Sequence, residues 1–130
     1  MLSRRSLLLA AVAASAAVSA PALAAGPQPF DDAAFAAAQK AGKPIFVAIH
    51  ASWCPTCKAQ TPILADLMAD SKFENLVYFV VDFDSQKDAM RTFGAKDRAT
   101  LIVFKGSQEV GRSMFDTNRD SIEALLTKGL

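Results

Sequence analysis

Apolar residues along this chain fall into two kinds of pattern. Ile45-Phe46-Val47-Ala48-Ile49, entered from Lys43-Pro44, and Leu76 to Val81 are continuous apolar runs. Runs so short and unbroken fit strands covered on both faces, as in a parallel sheet between helical layers. Thr100 to Phe104 and Glu109 to Ser113 read as a hairpin around Gly106-Ser107. Elsewhere the spacing is helical. Asp31 or Asp32 can cap a helix through AAFAAAQKA that stops at Gly42. A second begins near Cys54, where Pro55 suits the first helical position, and carries Ile63, Leu64, Leu67 and Met68 on one face. Pro62 is expected to kink it. A short helix across Ser85 to Phe93 follows the second strand. Asp116 or Thr117 opens a last helix, with Ile122, Leu125 and Leu126 inward. Gly26-Pro27-Gln28-Pro29 reads as a loop. The predicted order is αβαβαββα, an α/β chain that ends in a hairpin and a helix.

The first segment stands apart. MLSRRSLLLAAVAASAAVSAPALA has Arg4 and Arg5, an apolar stretch from Leu7 to Val18, and a small-residue ending at Ala22-Leu23-Ala24. This reads as a signal peptide over residues 1–24, leaving a domain over 25–130. The apolar stretch before Pro21 is short for a bilayer that needs about 20 residues, so an uncleaved anchor fits less well. Ser3-Arg4-Arg5-Ser6-Leu7-Leu8 resembles a twin-arginine signal, but Leu7 and Leu9 depart from that pattern, and the ordinary secretory route fits better. Either route implies a periplasmic or secreted protein.

With 130 residues, 52% of them hydrophobic, the chain suffices for one domain. The formal charge is +1, and −1 without residues 1–24, which hold two arginines and no acid. Near-neutrality, with no basic patch or phosphate-cradling glycine loop, gives no argument for nucleic acid or anionic lipid as a partner.

The chain has two cysteines, Cys54 and Cys57, in HASWCPTCK. In an exported protein two lone cysteines can form a structural disulfide. One closing so small a loop would constrain the unfolded chain little. A zinc site would need two further ligands, and the chain offers only His50 and carboxylates. The predicted location favours a redox pair. Cys54 falls where a central strand ends and a helix begins, so unpaired N–H groups and the helix dipole favour its thiolate. Cys57, one turn on, is placed to resolve a mixed disulfide. Trp53 can shield the pair, and Lys58 can favour the thiolate or simply be solvated.

WCPTCK, Pro62 five residues after the second cysteine, VVDFD and TLIVFKGSQEVGR together resemble the thioredoxin superfamily over nearly all of residues 25–130. KPIFVAIHASWCPTCK is similar to periplasmic thioredoxin-like domains that deliver electrons to exported proteins. The Pro55-Thr56 dipeptide resembles that of thioredoxins of cytochrome c maturation. The resemblance implies a thioredoxin fold, a central mixed β-sheet flanked by helices, and a thiol-disulfide oxidoreductase. It implies Cys54 as nucleophile, Cys57 as resolving thiol, and a redox-active disulfide with no other cofactor. Partners would be client proteins with disulfides or thiols, and a membrane electron donor; a monomer is expected.

Three positions depart from the family pattern. Ala48 stands six residues before Cys54, where thioredoxins carry a buried Asp, and no obvious carboxylate replaces it. His50 occupies a position usually aromatic. It can act on the thiols or merely pack at a strand end. Ala99 falls where the superfamily has a cis-proline, between Arg98 and Thr100. Without proline a cis bond costs about 3–4 kcal/mol, so Arg98-Ala99 is expected to be trans. Family members pair client backbone against the residue before that proline, and the ring keeps metals from the sulfurs. Its loss permits an alternative function: a metal or iron-sulfur cluster bound by the CxxC pair, shared between two subunits.

Asp82-Phe83-Asp84-Ser85-Gln86-Lys87-Asp88 begins like a calcium loop, but Lys87 replaces its Gly and Phe93 its closing Glu. A strand end and helix cap explain it better. Phe30, Phe35, Phe73, Phe79 and Phe104 read as core.

Overall fold

A computed structural model describes residues 26–130, together with Ser15. The leader segment assigned to residues 1–24 lies otherwise outside the described residues, as does its boundary. The elements are β1 (Pro27–Pro29), α1 (Asp32–Lys40), β2 (Pro44–His50), α2 (Pro55–Met68), β3 (Val77–Asp82), α3 (Lys87–Thr92), β4 (Thr100–Lys105), β5 (Gln108–Met114) and α4 (Arg119–Thr127), with a 3₁₀ turn at Ser71–Phe73.

Alternation along the strands builds the layers. Ile45, Val47 and Ile49 of β2 point to one side of the sheet, with Phe79 and Val81 of β3 and Ile102 and Phe104 of β4. There they meet Phe35 of α1, Met90 of α3, Phe30 and Phe93. Phe46, Ala48, Tyr78, Leu101 and Val103 point to the other side, onto Leu64 and Leu67 of α2 and Ile122, Leu125 and Leu126 of α4. Both faces are covered, which is why these strands read as unbroken apolar runs. On the first side Phe30, Phe35, Phe79, Phe93 and Phe104 interlock, mostly edge to face, at centroid distances of 5.2–6.0 Å.

The sheet has five strands in the order β1-β3-β2-β4-β5. β1 and β2 run parallel to β3, whereas β4 is antiparallel to β2 and β5. The expected mixed sheet flanked by helices is therefore present, with β2 central.

Several local expectations are corrected. Residues 27–29, read as a loop, form the edge strand β1, pairing Gln28 with Phe79. Two prolines are tolerated there because an edge strand has one row of backbone groups without a partner strand. The last helix starts at Arg119, not near Asp116. Asn118 caps it by accepting from the Ser121 N–H at 3.0 Å, while Asp116 Oδ1 accepts from Asn118 N at 2.9 Å. α3 begins two residues late because Gln86 is engaged elsewhere. Its side chain accepts from Asp82 N and donates to the Phe30 carbonyl, stitching the end of β3 to the end of β1. α1 ends at Lys40, and Gly42 takes the left-handed conformation beyond it, φ 69°. Pro62 lies inside α2, which continues to Met68.

Candidate functional site

β2 delivers the chain to the site. After His50 it turns through Ala51, whose carbonyl accepts from Cys54 N at 3.1 Å, and α2 begins. Cys54 is the N-cap, with extended φ −84° and ψ 115°, and Pro55 is the first helical residue. The cap is sulfur: Cys54 Sγ accepts from the Cys57 N–H at 3.1 Å. Both cysteines are free thiols, 1% and 2% exposed, in a small cluster with Ala51 and Ala99.

Across from the pair sits the loop before β4, which several hydrogen bonds fasten. Ala99 N donates to the Ile49 carbonyl at 2.8 Å, and the Ala99 carbonyl accepts from Phe115 N at 3.0 Å. The Thr100 hydroxyl, buried, donates to the Asp97 carbonyl at 2.7 Å, closing a turn around Arg98 and Ala99. The Arg98-Ala99 bond is trans, as expected, and Ala99 reaches its place with φ 54°; Phe115, bonded to it, has φ 56°. Both are left-handed without being glycine, a conformation that costs about 1–2 kcal/mol per residue.

The two sulfurs differ electrostatically. Burial pushes the Cys54 thiol up, but three influences outweigh it and leave it below its ordinary value. These are the hydrogen bond from the Cys57 thiol, that from the Cys57 backbone N–H, and the charge and hydrogen bonding of the Arg98 guanidinium. Cys57 goes the other way. Burial raises its pKa first, and the hydrogen bond to Cys54 and the developing charge there add to the rise, against backbone hydrogen bonds at Ala51 and Ala99. Arg98, not Lys58, is the cation that acts on Cys54; Lys58 is solvent-exposed on α2.

Trp53 does less shielding than expected, being 51% exposed. Its indole N–H donates to Asp84 Oδ2 at 2.8 Å and its ring packs edge-on against Phe83. Pro55 is exposed and Thr56 half-buried on the first turn of α2. His50 lies on the Ala48 side of β2 and lines a cavity of about 170 Å³ with Ala48, Cys57, Gln60 and Tyr78. Its carbonyl accepts from Phe83 N at 2.9 Å. Burial pushes Tyr78 up to about 12, so it stays a neutral phenol on that wall.

Two contributors escaped the sequence reading. Gln60, 3% exposed, donates its side-chain amide to the Ala99 and Asp116 carbonyls. A polar residue on the buried stripe Cys57, Gln60, Leu64, Leu67 was the available signal. Phe115 is 40% exposed, and its ring centre lies 5.6 Å from the Arg98 guanidinium carbon. Nothing in its local sequence marks it.

Residues 27–128 match the family model for thioredoxin. The chain belongs to the thioredoxin family. It is 33% identical to the thioredoxin of Chlamydia muridarum (strain MoPn / Nigg) over 84 residues, covering 65% of this chain and 80% of that one. Among solved structures it resembles Trxlp from Edwardsiella tarda EIB202, with TM-score 0.76 and 39% identity over 78% of this chain and 98% of that one. It also resembles thioredoxin NaTrxh from Nicotiana alata, with TM-score 0.66 and 26% identity over 75% and 82% of the two chains. Members of the family are thiol-disulfide oxidoreductases, and this thioredoxin carries the CxxC pair such chemistry uses.

The metal alternative gains no support. Among the described residues no group of three or more His, Cys, Asp or Glu side chains is placed to hold an ion. The acidic stretch after β3 is a turn: Asp82 Oδ1 accepts from the Asp84 and Ser85 N–H groups at 2.9 and 3.0 Å.

Proposed function

We propose that this thioredoxin works outside the cytoplasm, exchanging or reducing disulfides in client proteins, with a membrane protein as its electron donor. The reading of residues 1–24 as a secretory signal supports the location. One observation carries the chemistry: Cys54 caps the start of α2, its Sγ accepting from the Cys57 N–H at 3.1 Å, with Cys57 enclosed one turn on, an arrangement that pushes the two thiols in opposite directions.

The Cys54 thiolate attacks one sulfur of a client disulfide, forming a Cys54–client bond and expelling the other client sulfur as thiolate. Cys54 then no longer carries the charge that, with burial, helped hold Cys57 protonated. Cys57 gives up its proton and attacks Cys54 Sγ, releasing the second client thiolate and closing the Cys54–Cys57 disulfide. Two electrons have passed from the protein to the client. Ala48 offers no carboxylate for that proton, but Cys57 and His50 line the same cavity. His50 is the proton acceptor we assign to this step.

Insulin reduction by the chain from residue 25 onward tests the cycle. Cys54→Ser should abolish turnover, and Cys57→Ser should accumulate client mixed disulfides. An active Cys54→Ser protein would end this reading. A glutathione titration of the pair then decides direction. A potential near −270 mV makes it a reductant, and one above about −150 mV an oxidant.

A further inference from the structure

Arg98 acts on Cys54, yet its hydrogen bonding is incomplete. A guanidinium presents five donors in one rigid plane and accepts nothing. One terminal nitrogen donates to Asp97 Oδ1 at 3.0 Å, an oxygen that also accepts the Arg98 backbone N–H at 2.9 Å. Nε is enclosed and has no partner. The side chain is 31% exposed, and its guanidinium carbon lies 4.8 Å from the Trp53 ring centre and 5.6 Å from that of Phe115. Both rings are themselves well exposed. The guanidinium therefore sits part-exposed between two aromatic faces, one of them on Trp53, the residue before the nucleophile, where an approaching substrate can meet it.

The reaction changes what this cation faces. While Cys54 is a thiolate, Arg98 has an anionic neighbour. Once the sulfur is joined to a client the negative charge has left with the expelled thiolate, and the guanidinium has lost one of its two anions. A substrate carboxylate next to the attacked sulfur can replace it, through the planar fork that suits carboxylates.

We propose that Arg98 is a specificity residue that selects disulfides bearing a carboxylate beside the sulfur Cys54 attacks. This rests on the thiol-disulfide reading and deepens it. Asp97 and Asp84 stand nearby and oppose an anion. Asp97 is tied to Arg98, however, and Asp84 accepts from the Trp53 indole.

Three small disulfides separate charge from chemistry: dithiodipropionate, a dianion; hydroxyethyl disulfide, neutral; and cystamine, a dication. Rate constants for their reaction with the reduced protein are compared among wild type, Arg98→Gln, Arg98→Lys and Asp97→Asn. Loss of thiolate in Arg98→Gln slows all three alike and cancels in the ratio of dianion to dication. That ratio should fall roughly tenfold in Arg98→Gln, fall by less in Arg98→Lys, which keeps the charge without the fork, and rise in Asp97→Asn. A common factor for all three substrates in Arg98→Gln, with Asp97→Asn unchanged, overturns the inference and leaves the oxidoreductase reading standing. Wild-type protein inert to all three overturns both.

Discussion

The buried Gln60 amide donates to the carbonyl oxygens of Ala99, at 3.4 Å, and Asp116, at 2.9 Å. One side chain of α2 thus holds together the loop before β4 and the segment after β5, the two places among the described residues where a residue other than glycine is left-handed. Strained conformations persist only where their surroundings over-determine them. Gln60→Leu keeps the volume and removes both donors. It should lower stability by about 1–3 kcal/mol in urea unfolding, because the Asp116 carbonyl loses its Gln60 donor. A change below about 0.5 kcal/mol would show that the clamp does not matter.

Restoring the family's proline should harm this chain. The Ala99 N–H donates to the Ile49 carbonyl at 2.8 Å, a bond proline cannot make, and φ at 54° lies far from the proline range near −65°. Ala99→Pro should cost at least about 3 kcal/mol. Equal or higher stability in the same urea assay would mean that the loop readily adopts a different backbone, and that the alanine geometry is not enforced.

How far this site was legible depends on the kind of signal. Cys54 and Cys57 announce themselves by spacing, and the end of an apolar run followed by Pro55 places them at a helix start without any contact being known. Ala48 and Ala99 were legible as departures because the flanking motif fixes their register. Their consequences were not: the left-handed backbone at Ala99 depends on hydrogen bonds to Ile49 and Phe115, which are distant in sequence. Arg98 was located in sequence, but its hold on Cys54 arises only when the loop before β4 folds over the start of α2. The edge strand at 27–29 was missed because proline argues against a strand, and only the position at the sheet edge removes that objection.

The pH behaviour of the reduced protein follows from the opposed shifts. Cys54 lies below its unfolded value, so it adds stability above the unfolded pKa, lost as pH falls through the folded one. Cys57 lies above, so stability falls as pH rises from the unfolded toward the folded pKa. Arg98→Gln weakens the first effect and leaves the second. The variant should therefore lose more stability than wild type as pH is raised through the thiol range. Iodoacetamide alkylation of Cys54 at neutral pH should slow, with its midpoint moved upward. An unmoved midpoint would mean that the helix start and Cys57 alone hold the thiolate.

His50 gives the last test. It shares a cavity with Cys57 and Ala48, on the side of β2 where the family's carboxylate would stand. If the Cys57 proton leaves through that cavity, resolution of the mixed disulfide depends on His50 while the first attack by Cys54 does not. Rapid mixing of reduced protein with an aromatic disulfide separates the two steps as two phases of thiol release. His50→Phe should leave the first phase within about twofold and slow the second by about tenfold or more. Wild-type kinetics in both phases would assign the proton to solvent entering the cavity and leave His50 as a residue that packs at the end of β2.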